Sequence, residues 1–162
     1  MYLGKFLNQI NKKYRKCVGM MILNDYKQIL VGKRLDHPSG YWQMPQGGID
    51  DKENPEEAVW REMKEEIGTN NVFFIGEMGE WLNYDIPINL INRLWGGKYR
   101  GQTQKWLAYK FLGEDREINI NTKNPEFCDW KWLNALELTK LAIPFKKKIY
   151  EKVLKEYSNY LK

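Results

Sequence analysis

Residues 47–69, GGIDDKENPEEAVWREMKEEIGT, constrain this chain more than any other stretch. They follow the pattern G-x5-E-x7-R-E-U-x-E-E-x-G-U, with U an apolar residue, running from Gly47 through Glu53, Arg61, Glu62, Glu65 and Glu66 to Gly68. Only the last position departs, because Thr69 stands where the pattern is apolar. Local chemistry predicts a helix inside this segment. Asn54 suits the N-cap, Pro55 the first helical position, and Glu57 stands three residues after Asn54 as in a capping box. Gly68 is placed to end the helix in a left-handed conformation. At roughly 100° per residue, Val59, Trp60, Met63 and Ile67 share one arc, and Glu62, Glu65 and Glu66 fill the neighbouring one.

Glu62 and Glu66 are i, i+4, so carboxylates crowd one stripe, and like charges at that spacing repel and raise one another's pKa. A solvated acidic face is the plain alternative. It fits poorly at Glu66, which borders the apolar stripe and is expected to be partly buried. A divalent cation resolves the repulsion. Hard oxygen donors with no histidine or thiol beside them suit Mg²⁺ or Mn²⁺ rather than zinc.

The charge balance agrees with a polyanionic substrate. The chain has net charge +5, yet residues 50–66 carry eight acids against three bases, a local −5 that leaves +10 elsewhere. An acidic, metal-sized spot within a basic surface suits a polyanion that meets Mg²⁺. At 162 residues and 43% hydrophobic content, one well-buried domain spanning 1–162 is expected. No run approaches about 18 apolar residues, so no membrane span is expected. The N-terminal MYLGKFLNQINKKYRK lacks a secretion pattern, and Cys17 and Cys128 are too few for a disulfide framework and read as buried thiols. Both point to the cytoplasm. His37, the one histidine, lies in a DHPSG loop and reads as a surface residue rather than a catalyst.

Short apolar runs at Cys17–Leu23 and Gln28–Arg34, separated by Asn24–Asp25, predict a strand pair with a turn. Val72–Ile75, Lys105–Leu112 and Cys128–Leu133 also read as strands. Residues 83–104 read as an irregular excursion with its own aromatics. Pro144–Tyr160 carries Phe145, Ile149, Val153, Leu154 and Tyr157 at helical spacing and predicts a terminal amphipathic helix. Strands on both sides of a central helix indicate an α/β fold with a mixed sheet between helices.

The 47–69 pattern resembles the signature of Nudix hydrolases, which cleave nucleoside diphosphates linked to another group. The likeness extends through YRKCVGMMILN (Tyr14–Asn24), YWQMPQGGI (Tyr41–Ile49), GQTQKW (Gly101–Trp106), NPEFCDWKW (Asn124–Trp132) and IPFKKKIYEKV (Ile143–Val153). In that order and spacing the segments are similar to one bacterial subgroup, which acts on RNA 5′ ends and on dinucleoside polyphosphates. Lys16 stands where the subgroup usually has proline. The resemblance implies a Nudix-type α/β/α sandwich.

It also implies roles. Gly47 would offer a carbonyl to a metal, Glu62, Glu65 and Glu66 would supply carboxylates, and Glu126 would add another from a loop, unless it caps local structure after Pro125. Arg61 would orient the carboxylates by pairing with Glu65 or Glu53, and Glu53 itself would be supporting rather than ligating. Glu66 would help activate water, with Glu65 the competing choice. Arg15, Arg34 and Lys105 are candidate phosphate contacts. Gln102 and Gln104 would place a phosphate or a water, or be solvated loop polars. Phe145 and Lys146 would combine a stacking ring with a cation for RNA, with a core position the alternative for Phe145. The expected reaction is metal-dependent removal of pyrophosphate from triphosphorylated RNA 5′ ends, with dinucleoside polyphosphate hydrolysis as the alternative. A non-catalytic nucleotide sensor fits less well, since a sensor has no need of three unneutralised carboxylates. A monomer or weak oligomer is expected.

Overall fold

The longest apolar stretch of the first strand, Val18–Leu23, is buried on both faces, as a strand in the middle of a parallel pair must be. The computed structural model describes residues 2–37 and 40–162. Strand β1 (Tyr14–Leu23) runs parallel to β7 (Gly101–Phe111), in register from Tyr14 opposite Gly101 to Leu23 opposite Lys110. Around this pair the other described strands assemble antiparallel. β2 (Ile29–Arg34) and β4 (Gln46–Gly48) pair with β1, while β3 (Trp42–Gln43) and β8 (Phe127–Leu133) pair with β2. β5 (Val72–Glu77) and β6 (Leu82–Asp85) pair with β7. The result is one mixed sheet.

Helices cover both faces. α2 (Pro55–Ile67) packs Ala58, Val59, Met63 and Ile67 on Val18, Met20, Ile22, Leu107 and Tyr109. The opposite layer joins Met21, Trp106 and Ala108 to Leu138 of α4 (Ala135–Leu141) and to Ile149, Tyr150 and Val153 of α5 (Lys147–Glu156). α1 (Tyr2–Ile10) and the short α3 (Ile88–Ile91) lie at one end, where buried Gln9 donates to the Ile86 carbonyl at 2.9 Å.

The expected strand pair forms, with Leu23 opposite Ile29. Its turn is closed by the Asn24 side chain, which accepts from the Tyr26 and Gln28 amides at 3.0 and 2.9 Å. Three expectations need correction. The 83–104 excursion is not irregular throughout, because its ends are the last three residues of β6 and the first four of β7, and α3 lies between. α1 and α4 lie outside the predicted elements; α1 buries Gln9 and leaves Leu3, Leu7 and Ile10 exposed, and α4 buries Leu138. The terminal helix is broken, a 3-10 turn over Pro144–Lys146 preceding α5 and another over Ser158–Tyr160 following it. Trp60 is not on the buried stripe and stays 39% exposed, because the face of α2 that meets the sheet is 58/59, 62/63 and 66/67. Pro38 and Ser39 of the histidine loop lie outside the described residues. His37 rests edge-on against Tyr41, ring centroids 5.0 Å apart.

Gly19 is opposite Trp106, and a Cβ there would lie 2.5 Å from the indole. Gly19→Ala is expected to lower stability by about 1–3 kcal/mol, the usual cost of forcing an atom into a filled core. Gly4, in α1 with open space around it, is the control. Gly4→Ala should be neutral or slightly stabilising, and paired denaturant melts of the two variants check both statements.

Candidate active site

The helix that carries the acids is held at both ends by its own sequence. Asn54 accepts from the Glu57 amide and Glu57 accepts from the Asn54 amide, each at 2.9 Å, and Pro55 occupies the first turn. Gly68 closes the other end at φ 74°, donating to the Lys64 carbonyl. Thr69 is buried, and its hydroxyl accepts from the Asn71 amide at 3.2 Å, so a polar residue fits the usual apolar position without an unsatisfied group.

Arg61 ties this helix to the preceding loop. Its Nε and Nη2 each donate to a different oxygen of Glu53 at 2.8 Å, and Nη2 also reaches the Gly48 carbonyl at 2.8 Å. Nη1 donates to Glu62 at 2.8 Å and, more loosely, to Glu65 at 3.4 Å. The bidentate Arg61 contact holds Glu53 below the usual carboxylate range, and Glu53 also accepts from the Asp50 amide. Glu53 thus anchors the loop.

Glu62 and Glu66 lie on the face of α2 turned to the sheet, 8% and 2% exposed, whereas Glu65 is exposed. Burial pushes Glu62 up to about 7, against the pull of Arg61 and with Glu65 and Glu126 adding repulsion. Glu66 is raised well above the ordinary range by burial first, then by the neighbouring Glu126 carboxyl and by Glu62. Glu66 Oε2 accepts from the Gln46 amide at 2.9 Å, and Oε1 is buried with no donor. Glu126 itself is exposed on the loop before β8, where its carbonyl accepts from the Leu35 amide. Gly47 faces this group so closely that a Cβ would stand 1.8 Å from the Glu62 carboxyl carbon.

Gly47, Glu62, Glu66 and Glu126 are therefore brought together, with Glu65 and Arg61 beside them. Among the described residues, no three Asp, Glu, His or Cys side chains already enclose a common metal position. The acids adjoin one another without forming a closed cage.

The predicted cations divide. The Arg15 guanidinium lies against Gly48, 2.3 Å from where a Cβ would be, and 5.4 Å from the centroid of the Trp95 ring. Arg34 grips Asp36 through two bonds of 2.7 and 2.6 Å and is within electrostatic reach of Glu126 and Glu66. Lys105 instead pairs with Glu77 at 3.1 Å and the Gly79 carbonyl at 3.3 Å, partners that lie apart from Glu62, Glu65, Glu66 and Glu126. Lys146 is not a surface cation. It is buried, its Nζ donating to Gln43 and Gln46 at 3.1 and 3.0 Å, and burial, with Arg34 nearby, pushes its pKa down to about 7. Phe145 is half-buried and stacks on Tyr84, ring centroids 5.6 Å apart. Gln104 and Gln102 are buried rather than solvated, and Gln104 donates to Gln102 at 2.8 Å and to Gln46 at 3.2 Å.

The resemblance marks Gln46 as standing where many family members have another residue and gives it no site role, yet its amide holds Glu66 and its side chain holds Lys146. Gln43 and Gln46, three residues apart around Pro45 in an apolar context, were the available signal. Trp95 was also missed, lying within the stretch read as irregular.

The NUDIX domain model matches residues 13–153. The chain is 50% identical over 147 residues to the RNA pyrophosphohydrolase of Rhodospirillum rubrum, covering 91% of this chain and 88% of that protein. It is 48% identical over 157 residues to the RNA pyrophosphohydrolase of Orientia tsutsugamushi (strain Boryong), covering 97% and 98%. The structure of the E. coli dihydroneopterin triphosphate pyrophosphohydrolase superposes with a TM-score of 0.67 at 22% identity, covering 90% of this chain and 99% of that one, a likeness of fold. The chain belongs to the NUDIX family. Nudix hydrolases generally need divalent metal ions. No described helix is long and apolar enough to cross a membrane.

A carboxyl whose folded pKa lies above its unfolded one binds more protons when folded, so its burial weakens the fold as pH rises between the two values. For Glu62 that window runs from 4.5 to about 7. In chelator, stability is expected to fall across it, and Glu62→Gln should flatten the fall. Denaturant midpoints measured at several pH values check the slope.

Proposed function

We propose that this chain hydrolyses the 5′-triphosphate end of RNA, releasing pyrophosphate, with a divalent cation of the Mg²⁺ or Mn²⁺ class. The observation that supports it most is the buried, donor-less Glu66 Oε1 beside Glu62 and Glu126, on a chain about half identical to RNA pyrophosphohydrolases over nearly its whole length.

The residues fit such an ion. The donors are all oxygen, an oxygen is orphaned in the interior, and Gly47 leaves space that any side chain would fill. The Gly47 carbonyl, Glu62, Glu65, Glu66 and Glu126 would hold it. When bound, the ion supplies positive charge to phosphate oxygens and makes water more acidic. Glu66 accepts the proton of the attacking water, since its Oε1 is buried with no donor and burial favours the protonated form; Glu65 is the alternative. Arg61 fixes Glu62 and the Gly48 loop relative to one another. Arg15 and Arg34 take phosphate oxygens, and Phe145, backed by Tyr84, offers a ring to a base. Both cysteines are free; Cys17 is buried as expected, whereas Cys128, on the strand after the Glu126 loop, is exposed rather than buried.

Hydrolysis of a 5′-triphosphate oligonucleotide and of diadenosine tetraphosphate under identical Mg²⁺ tests the reading. Faster release of pyrophosphate from RNA is expected. A large preference for the dinucleotide would move the function to that substrate, and binding without turnover would leave a sensor. Activity should vanish after exhaustive chelation and return with Mg²⁺ or Mn²⁺.

Glu66→Gln keeps shape and still accepts from the Gln46 amide, but loses the charge. Loss of a general base costs about 10²–10⁴-fold in rate, and a lost ligand adds to this. Metal-free stability should hold or rise, since one member of a repelling cluster becomes neutral. Phosphate release and thermal melting in chelator on one purified variant check both halves.

A further inference from the structure

A cleft of about 760 Å³ lies between α1 and α3, away from the carboxylates, and the reaction just described makes no use of it. Its volume is in the range of small-molecule sites, roughly 300–1,000 Å³. The polar side chains lining it are Lys5, Asn8, Gln9, Lys12, Asn89 and Asn92, two cations and four carboxamides with no acid among them. Lysines neutralise phosphates and carboxamides reach phosphates, sugars and base edges, so the polar part of the lining suits a nucleic-acid strand, while Ile88 and Ile91 complete it with apolar surface against which a base can rest. The adjoining hollow contains Asp85, but that acid is neutralised by two bonds from Arg100 at 2.9 and 3.0 Å.

The cleft is joined to the active site by a continuous line of contacts. Lys12 Nζ donates to the Gly97 carbonyl, and the Asn92 side chain adjoins Gly97. Two residues back, Trp95 stands beside Arg15, which lies against Gly48, next to the Gly47 that faces Glu62. Trp95 adopts φ 48°, rare for an aromatic residue, and Gly96 and Gly97 follow at 62° and 72°. Such strain persists where the surroundings enforce it and clusters at functional positions. Here it holds a ring and a cation between the two sites.

We propose that this cleft binds the single-stranded RNA that follows the triphosphorylated end, with the Arg15–Trp95 pair bridging it to the active site. The proposal rests on the RNA reading above and adds to it a preference for longer strands, which a dinucleoside polyphosphate cannot exploit.

The test is the double variant Lys5→Glu, Asn89→Asp, two exposed positions outside the catalytic machinery. Its kcat/KM is compared with wild type on 5′-triphosphate RNAs of two and ten nucleotides. Alongside, a fluorescent 5′-hydroxyl ten-mer, which has no scissile phosphate, is titrated by anisotropy. Wild type is expected to prefer the longer RNA, and the variant to lose about tenfold on it while matching wild type on the dinucleotide. The variant should also bind the ten-mer more weakly, with a shallower dependence on salt. Undiminished action on the longer RNA, or equal losses at both lengths, overturns the cleft's role. If wild type cleaves neither RNA, the RNA reading fails, and the ten-mer titration judges the cleft separately: equal binding by wild type and variant overturns it.

Discussion

Arg61 is the interaction on which the arrangement of this site depends. A guanidinium presents a planar fork of donors, and here the fork joins three pieces of chain: two oxygens of Glu53, the Gly48 carbonyl, and the Glu62 carboxylate. The glycine loop, its anchoring acid and the acid-bearing helix are thereby held in one geometry. Exposed ion pairs contribute little, but this one is partly buried, bidentate and shared with a backbone carbonyl, which is the geometry that gives such pairs weight. A lysine at position 61 would keep the charge and lose the fork.

The sheet divides the chemistry between two faces that meet at Gln46. On one face its amide donates to Glu66, while on the other its side-chain oxygen accepts from Lys146 and Gln104. Antiparallel pairing of Gln46 with Gly19 and of Gly47 with Val18 fixes this short strand against β1. The central parallel pair, buried on both faces, supplies a rigid base on which an unfavourable cluster of acids can be held.

What the sequence made legible was what local spacing determines. The helix from Pro55 to Ile67, its Asn54–Glu57 box and its Gly68 terminus depend on residues within four of one another, and all are present as expected. Glu62, Glu65 and Glu66 were legible on one stripe for the same reason, whereas Glu126 came only from the resemblance, and Glu66 is buried more deeply than its place on the border of the stripe indicated. Features set by distant partners were not legible. Lys146 reads as a surface cation on a helix, yet its environment comes from Gln43 and Gln46, about a hundred residues away. Trp60 reads as part of the apolar stripe, but the sheet meets the helix slightly to one side of it. β6 lacks a strong pattern because only Leu82 and Tyr84 face inward, and β7 alone completes it.

Gln46 shows why a neutral amide suits the junction between the faces. Its side chain receives a proton donor from Lys146, while its backbone donates to an acid already deprived of solvent. A carboxylate at this position would pair with Lys146 and hold it charged, but would also place one more negative group beside Glu66 and Glu126, whose repulsion already raises the proton affinity of Glu66. The amide makes the same hydrogen bonds without that charge. Lys146 then lacks a full counter-charge among its hydrogen-bond partners and is held near its own neutrality at pH 7. The negative charge beside Gln46 is thus left to Glu66 and its neighbours Glu62 and Glu126, where a divalent cation and a polyphosphate would meet it.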